Sequence, residues 1–427
     1  MTAKAPAGAS RRLAQGDPPG HPYKDTLPTG WRWVRLGEVM KEAQGGFACG
    51  ERYPKGVIQL RMNNVTIQGT LDWSSFIRVP ATEDQIREYC LERGDVLFNN
   101  TNSTELVGKS ALFQEHDEPI VFSNHFTRLK TKADLLDSEF LSRWLLQQWQ
   151  QKVFENLCNR WIGQSAVQRD KLLALEMPLP PLPEQRRISG ILREQLGAVE
   201  KARAAAEAQL EAAQALPSAY LREVFPKLRQ PLPRGWKCVK LGELCKISAR
   251  QVDPKLPEYS GLPHVSAEDI ESGTGRLFDL KSAAEDGMIS GKYIFESGCI
   301  LYSKIRPYLR KAVVAPCRGL CSADMYPIDV KHDSFDANYF LWLLLSEAFT
   351  EWADSESRRA RMPKLNRDQL FSYLAPLPPL IEQQRIAASL NNSFAKADAL
   401  RSQLSALNSE LSALPQSLLR KAFRGEL

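Results

Sequence analysis

Residues 178–188 read PLPPLPEQRRI, and residues 376–386 read PLPPLIEQQRI. Nine of these eleven positions are identical, at an offset of 198. Proline is excluded from a helix interior but tolerated in its first turn, where a following glutamate lies near the positive end of the helix dipole. Each copy therefore predicts the start of a helix, and in the first copy no further proline occurs before Pro217.

Two further pairs of stretches repeat in the same order. LPTGWRWVRLGEV at 27–39 returns as LPRGWKCVKLGEL at 232–244, with eight of thirteen positions identical. ERGDVLF at 92–98 returns as ESGCILY at 296–302. A period near 200 is too long for a solenoid repeat, so the chain is one large unit copied twice.

The repeat divides the chain into five segments. They are a disordered N-terminal tail at 1–26, a first mixed domain at 27–177, a first long helix within 178–228, a second mixed domain at 229–375, and a second long helix within 376–427. The pattern of the mixed domains predicts strands at 57–61, 95–98, 111–113, 299–302, 312–315 and 326–330, and helices at 138–152 and 336–352. We expect an α+β fold in each copy.

The long helices carry apolar stripes at helical spacing. In the second copy the stripe is Ala397, Leu400, Leu404, Leu407, Leu411, Leu414 and Leu418; in the first it is Val199, Ala202, Ala206, Gln209, Ala213, Leu216 and Tyr220. Leucines opposite alanines allow two helices to approach closely. Because the second helix must run back to lie along the first, we predict an antiparallel coiled coil and an approximate two-fold relation between the copies. The alternative is that each helix packs only on its own domain.

Composition excludes several classes of protein. The 427 residues are 43% hydrophobic and 25% charged, as in globular proteins, and no apolar run approaches the ~20 residues of a membrane span. No apolar segment of a signal peptide follows Arg11 and Arg12, so we expect a cytoplasmic protein. The eight cysteines include no C-x-x-C pair, and Cys317 and Cys321 have no histidine nearby, which predicts neither disulfides nor a metal site.

The net charge of +6 favours an anionic partner weakly, and clustering matters more than the total. Residues 304–311 hold four cations, residues 358–367 hold five, and the first copy has asparagine-rich turns in the equivalent places. Arginine can pair with guanine and asparagine with adenine, although asparagine runs also form turns. The predicted DNA-binding residues are Asn99, Asn100, Asn102, Lys109, Asn124, His125, Arg160, Lys304, Arg306, Tyr308, Arg310, Lys311, Arg358, Arg359 and Arg361.

Catalytic motifs are incomplete. Residues 108–110 read GKS, like the end of a phosphate-binding loop, but the first required glycine is replaced by Ser103. Residues 17–20 read DPPG and lack the aromatic residue of the amino-methyltransferase motif. With no triad or carboxylate pair in view, the sequence favours binding over catalysis.

The doubled PLPPLxEQ motif before a long helix, the doubled LPxGW opening and the ending LLRKAFRGEL at 418–427 resemble type I restriction–modification specificity (S) subunits. The resemblance covers 27–427. It implies two target recognition domains, each reading half of a split, asymmetric DNA site, with helices that set the gap at about one DNA turn, roughly 10 bp between half-site centres. It also assigns scaffold or partner-binding roles to Pro180, Pro181, Glu184, Gln185, Pro378, Pro379, Glu382 and Gln383.

The resemblance further implies partners that carry the chemistry. Two methyltransferase (M) subunits would bind S-adenosylmethionine and methylate adenine N6, and restriction (R) subunits would supply nuclease and ATP-driven translocation. This chain would then have no catalytic site and no cofactor, with S-adenosylmethionine, ATP and Mg²⁺ on the partners. Three alternatives stay open: a free-standing methyltransferase or nuclease with a degenerate motif, a protein scaffold without DNA contact, and an S subunit of a methylation-only system.

Overall fold

The computed structural model describes residues 27–225, 232–248, 250–331, 333–357 and 363–427. It separates into two compact units. Unit 1 comprises the described residues up to Arg203 together with Ser409–Leu427, and unit 2 comprises the described part of Ala204–Asn408. The predicted disordered tail at 1–26 lies outside the described residues.

Unit 1 is built from short strands with small helices between them. Its strands are β1 (Arg32–Arg35), β2 (Met40–Gly45), β3 (Val57–Leu60), β4 (Ile77–Val79), β5 (Val96–Asn99), β6 (Thr101–Asn102), β7 (Ser110–Leu112), β8 (Ile120–Phe122), β9 (Phe126–Thr131), β10 (Asn159–Trp161), β11 (Gln164–Ala166) and β12 (Glu176–Leu179). Its helices are α1 (Glu83–Tyr89), α2 (Ser138–Gln150), α3 (Val153–Leu157), α4 (Arg169–Leu173), the first part of α5 (Leu182–Val224) and the end of α11 (Leu380–Ala422).

Unit 2 repeats this plan. Its strands are β13 (Lys237–Lys240), β14 (Cys245–Ile247), β15 (Gln251–Val252), β16 (His264–Val265), β17 (Lys292–Phe295), β18 (Ile300–Ser303), β19 (Ala312–Val314), β20 (Gly319–Cys321), β21 (Met325–Val330) and β22 (Leu374–Leu377). Its helices are the end of α5, α6 (Leu241–Leu244), α7 (Pro257–Ser260), α8 (Ala337–Leu345), α9 (Glu347–Ser357), α10 (Arg367–Ser372) and most of α11. Each of the six predicted strands is present, with bounds shifted by at most one residue.

The sheets of the two units correspond. A four-stranded antiparallel sheet has the order β2-β9-β5-β7 in unit 1 and β14-β21-β18-β19 in unit 2. A second sheet contains one parallel pair in each unit, β3 with β8 and β16 with β20. The α+β class and the internal duplication are therefore confirmed.

The strand after each LPxGW stretch pairs with the strand that leads into the PLPP stretch of the same copy. Strand β1 runs antiparallel to β12, and β13 runs antiparallel to β22, so the start and the end of each mixed domain meet in a two-stranded ribbon. Gly30 and Gly235 precede these ribbons with φ of +86° and +87°, a conformation that L side chains rarely adopt. Both copies therefore have a glycine at this position because the backbone there takes a positive φ.

Helices α5 and α11 each contain 43 residues, or about 65 Å of helix. Each continues through a proline, Pro217 and Pro415, that lies at the same place in the repeat. Helix α5 begins in unit 1 and ends in unit 2, whereas α11 begins in unit 2 and ends in unit 1. The predicted opposite directions of the two helices are therefore confirmed.

Both helices contribute to the unit cores. In unit 1, Ile188 and Leu192 from α5 and Leu419 from α11 lie in one apolar cluster with helix α2. In unit 2, Leu221 from α5 and Leu390 from α11 join the cluster of helix α8. Each core is thus formed by one mixed domain, the beginning of one long helix and the end of the other.

The predicted stripes are right at alternate positions only. On α5, Ala206 and Ala213 are buried but Ala202 and Gln209 are exposed. On α11, Leu404 is buried, whereas Leu400, Leu407 and Leu414 are 41–43% exposed. Choosing stripe positions by spacing and leucine content alone therefore placed one position of each heptad on an exposed side of the helix.

The predicted helix at 336–352 is wrong as a single element. It is divided into α8 and α9 at Ser346, whose backbone is extended. The Ser346 hydroxyl donates to the Leu343 carbonyl at 2.7 Å and accepts from the Phe349 N–H at 3.2 Å. A serine hydroxyl competes in this way with helical hydrogen bonds, and here it ends one helix and begins the next.

Candidate functional site

Each long helix begins with a buried glutamine that holds the adjacent mixed domain. The amide oxygen of Gln185 accepts the backbone N–H of Asp137 at 2.8 Å. Its amide nitrogen donates to the carbonyl oxygens of Leu135 and Pro180, both at 2.9 Å. The side chain has no exposed surface, so these three bonds replace all of its contacts with water.

The second copy repeats this arrangement. The amide oxygen of Gln383 accepts the Asp336 N–H at 2.9 Å, and its nitrogen donates to the carbonyls of Ser334 and Pro378 at 3.1 and 2.9 Å. Asp336 caps the N-terminus of α8, just as Asp137 caps that of α2. We refer to these two glutamines with their three partners as the glutamine clamps.

The glutamates of the repeated motif lie at the surface. Glu184 forms an ion pair with Arg187 at 2.7 Å, and Glu382 forms one with Arg385. These hydrogen bonds lower the pKa of both carboxyl groups. The carbonyls of Pro181 and Pro379 accept N–H groups of the first helical turn. Contact of these surface residues with a partner stays a prediction.

The asparagine-rich turn of unit 1 is partly internal. Asn99 is fully buried and donates to the carbonyl oxygens of Thr101 and His125 at 3.1 and 3.0 Å. Asn102 donates to the amide oxygen of Asn99 at 2.6 Å. The structure thus uses Asn99 and Asn102 to hold the turn, and their predicted contact with bases stays a prediction.

Three other members of this cluster lie nearer the surface. Asn124 is exposed, while Asn100 and His125 are half-buried. Burial and the nearby charge of Arg61 lower the pKa of His125, which favours the neutral imidazole at pH 7. Amide and neutral imidazole groups can both donate and accept hydrogen bonds, as base-edge contacts require.

The predicted lysines point toward carbonyl groups of their own unit. Lys109 donates to the carbonyls of Met62, at 3.3 Å, and Val65. Lys311 donates to the Ala267 carbonyl at 2.6 Å. The equivalent bonds in both copies tie the second sheet to the four-stranded sheet.

Lys304 is also held inside its unit. Its ammonium group donates to the Ala323 carbonyl and lies 5.1 Å from the ring centre of Tyr326. Burial lowers the pKa of both Lys304 and Lys109. The structure gives these lysines internal partners, and their contact with DNA stays a prediction.

The turn of unit 2 between β18 and β19 presents arginines on a strained backbone. Arg306 and Arg310 have φ of +50° and +46°, a left-handed conformation that costs roughly 1–2 kcal/mol for a residue with a side chain. They flank a 3₁₀ helix, Pro307–Leu309, that exposes Tyr308. The Arg310 carbonyl accepts the Gly273 N–H at 2.9 Å, and the Arg306 N–H donates to the Pro363 carbonyl at 2.9 Å. We call residues 306–310 the arginine turn.

Unit 1 also presents a β-hairpin at its surface. Strands β10 and β11 pair from Asn159 to Ala166, and β11 also pairs with β6. Arg160, a predicted site residue, lies exposed on this hairpin. The adjacent Trp161 and Ile162 are exposed as well and are absent from the predicted site, although two consecutive large apolar residues in a polar loop are a usable signal.

Arg358, Arg359 and Arg361 lie outside the described residues. Within the described ranges, no group of three histidine, cysteine or carboxylate side chains could hold a metal ion. No helix in the described part of the chain combines the length and apolar character needed to cross a membrane.

Comparisons with known proteins agree with the duplicated architecture. The model of the type I restriction modification DNA specificity domain matches residues 28–208 and 233–408. The EcoDI specificity subunit of Escherichia coli is 28% identical over 430 residues, covering 94% of this chain and 89% of the relative.

Solved structures show the same fold. The HsdS subunit of Thermoanaerobacter tengcongensis has a TM-score of 0.63 at 25% identity, over 95% of this chain and 99% of that one. A chain from a structural study of assembly and conformational transition of the type I R–M system has a TM-score of 0.68 at 24% identity, over 94% of this chain and 100% of that one. This chain therefore belongs to the family of type I restriction–modification specificity subunits and carries two of its DNA specificity domains.

Proposed function

We propose that the chain reads a bipartite, asymmetric DNA site, with one half-site contacted by each unit. The supporting observation is that the two units share internal contacts but differ in the surface segments beside them. The glutamine clamps are the same in both units, and the β6–β11 pairing of Thr101 with Ala166 has its counterpart in the bridge between Ile305 and Lys364. Beside these matching contacts, the segment between two equivalent strands differs: the asparagine-rich turn lies between β5 and β7 in unit 1, and the arginine turn lies between β18 and β19 in unit 2. One scaffold with two different surfaces suits two different half-sites.

The exposed groups have the chemistry of base and phosphate contacts. Arg306 in the arginine turn can pair with the guanine edge, and Asn100 and Asn124 can pair with adenine. A fixed turn costs less conformational entropy when it binds than a mobile loop does. We expect affinity to come largely from phosphate contacts and to fall steeply as salt concentration rises.

The second part of the proposal concerns the methyltransferase partner. Leu400, Leu407 and Leu414 are seven residues apart on α11 and half exposed, although leucines are usually buried. We call them the leucine row. A partner helix or groove that covers this row would remove apolar surface from water, and we assign it to an M subunit.

The chemistry would then belong to the partners. Under this proposal the chain has no catalytic role and no cofactor. S-adenosylmethionine is bound by two M subunits, and ATP and Mg²⁺ are used by R subunits in the full complex. The site of action is the cytoplasm, where the DNA lies.

The proposed function is tested by mapping N6-methyladenine across the genome with and without this gene, beside its M gene. We expect one bipartite motif of two short half-sites around a fixed gap to disappear on deletion. In the double variant Arg306→Ala/Arg310→Ala, only the half-site read by unit 2 should become degenerate. An unchanged methylome, together with no salt-dependent DNA binding by the purified complex, contradicts the proposal.

The leucine row gives a separate prediction. The triple variant Leu400→Ser/Leu407→Ser/Leu414→Ser should bind the M subunit about 100-fold more weakly, since each half-exposed leucine contributes on the order of 1 kcal/mol when covered. Titration calorimetry with purified M subunit measures the loss. Leu256→Ser, which removes a 46% exposed leucine elsewhere in unit 2, is the matched control and should bind normally. Equal affinity of the triple variant and the control would exclude this surface.

A further inference from the structure

The hairpin of unit 1 ends in an exposed apolar tip. Trp161 pairs across the hairpin with Gln164, and the two residues between them are Ile162 and Gly163. Ile162 is 106% exposed and Trp161 is 61% exposed, so in the described part of the chain Ile162 is the most exposed large apolar residue. Gly163 has φ of +81°, and no atom lies within 4 Å of the position that a Cβ would take there. The tip therefore projects away from the unit.

The base of the hairpin is held by hydrogen bonds, in contrast to its tip. Ser165 is buried, and its hydroxyl lies 2.8 Å from that of Thr104. Lys171 donates to the Leu157 carbonyl at 3.2 Å and to the side-chain oxygen of Asn159 at 3.1 Å. The tip is thus presented by a held two-stranded ribbon rather than by a loose loop.

An isolated exposed isoleucine needs no explanation, but this pair has a specific setting. Burying each side chain would contribute about 1.5–3 kcal/mol, and neither is used for the core of its unit. Arg160 lies beside the tip and is exposed, with its guanidinium donating to the Glu155 carbonyl at 3.1 Å. DNA has a polyanionic backbone around apolar stacked base pairs. An apolar tip flanked by a cation is complementary to both of these parts.

We propose that Trp161 and Ile162 form a wedge that enters the base stack of the half-site contacted by unit 1, opens one base step and bends the duplex. The inference rests on the proposed function and deepens it. A two-stranded ribbon fits a DNA groove, and inserted apolar side chains are a known physical means of kinking DNA. Arg160 would contact the phosphates next to the opened step.

The wedge adds sequence preference without any hydrogen bond to a base. Pyrimidine–purine steps unstack most easily, so the opened position should be a TA or CA/TG step. This preference would be part of the unit 1 half-site and would be lost when the wedge is removed.

The test uses the full chain in complex with its M subunit and the duplex that carries the motif from the methylome experiment. 2-Aminopurine is placed in turn at each position of the unit 1 half-site, except the methylated adenine itself. We expect the wild type to raise the fluorescence several-fold at one step and to increase energy transfer between dyes at the duplex ends. Trp161→Ser/Ile162→Ser should abolish both signals and weaken binding about tenfold or more.

Two variants sharpen the comparison. Ile289→Ser removes a 75% exposed isoleucine in unit 2 and should behave like the wild type. The single change Ile162→Ser tests the tip if the double variant folds poorly. DNA binding with unchanged fluorescence and bending in the wedge variants overturns the wedge while leaving the proposed function intact. Loss of the M subunit from the double variant would identify the tip as a protein contact and also overturn it. If the wild-type complex binds no DNA, the proposed function fails and the wedge with it.

Discussion

Replacing Gln185 by methionine is expected to release the N-terminus of α2 from the long helix α5. Methionine keeps the volume of the side chain but cannot accept the Asp137 N–H or donate to the Leu135 and Pro180 carbonyls. Leaving such groups buried without partners costs about 1–3 kcal/mol each, so we expect a loss of roughly 3 kcal/mol or more in local stability. Hydrogen exchange of the amides at 135–141 should accelerate by about 100-fold or more.

The duplication supplies the control for this experiment. Gln383→Met should accelerate exchange at 334–340 and leave 135–141 unchanged, and Gln185→Met should do the reverse. Glu184→Ala removes an exposed ion pair of the neighbouring residue and should change stability by less than about 1 kcal/mol. If the methionine variants exchange like Glu184→Ala, the clamps do not stabilise the helix–domain junctions.

The second large effect concerns the gap between half-sites. Four residues inserted into both long helices, after Glu207 and after Ser405, add about one turn and roughly 6 Å to each. The two positions are 198 residues apart and therefore equivalent in the repeat. If the helices set the distance between the half-sites, the methylated motif should keep both half-sites and gain one or two base pairs in its gap.

Methylome mapping measures the gap directly, because the two unchanged half-sites mark its ends. Insertion into α5 alone should abolish methylation, since the two helices would no longer match in length. Inserting four residues of good helix-forming sequence keeps the apolar face nearly in phase. A functional double insertion that methylates the original motif with its original gap would refute the role of the helices as a spacer.

Much of the fold was predictable because its signals are local. The prolines of the PLPP motifs and the glutamates after them indicate where the long helices begin, and short continuous apolar runs indicate strands such as β5 and β18. The break at Ser346 was missed because the side-chain hydrogen bond that makes it is invisible in an apolar pattern. The buried faces of α5 and α11 were misplaced in part because Leu400 and Leu407 satisfy the same spacing as Leu404.

The candidate site was less predictable, because a list of cations and amides does not tell which of them face inward. Lys109 and Arg306 look equally suitable for phosphate contact in sequence. In the structure, Lys109 donates to Val65, 44 residues away along the chain, whereas Arg306 stays exposed on the arginine turn. The exposed tip at Trp161 was overlooked because apolar residues are expected in cores.

The sequence by itself determined that the chain is a duplicated two-domain protein with two long helices, and it identified the specificity-subunit family. These conclusions depend on repeated motifs and on helix and strand periodicity, which are properties of neighbouring residues. Only the tertiary structure decided that Gln185 and Gln383 clamp the domains, that Lys109, Lys304 and Lys311 have internal partners, and that Trp161 and Ile162 project outward. The physical reason is that hydrogen-bond partners and burial are set by segments far apart in the chain, which come together only in the folded unit.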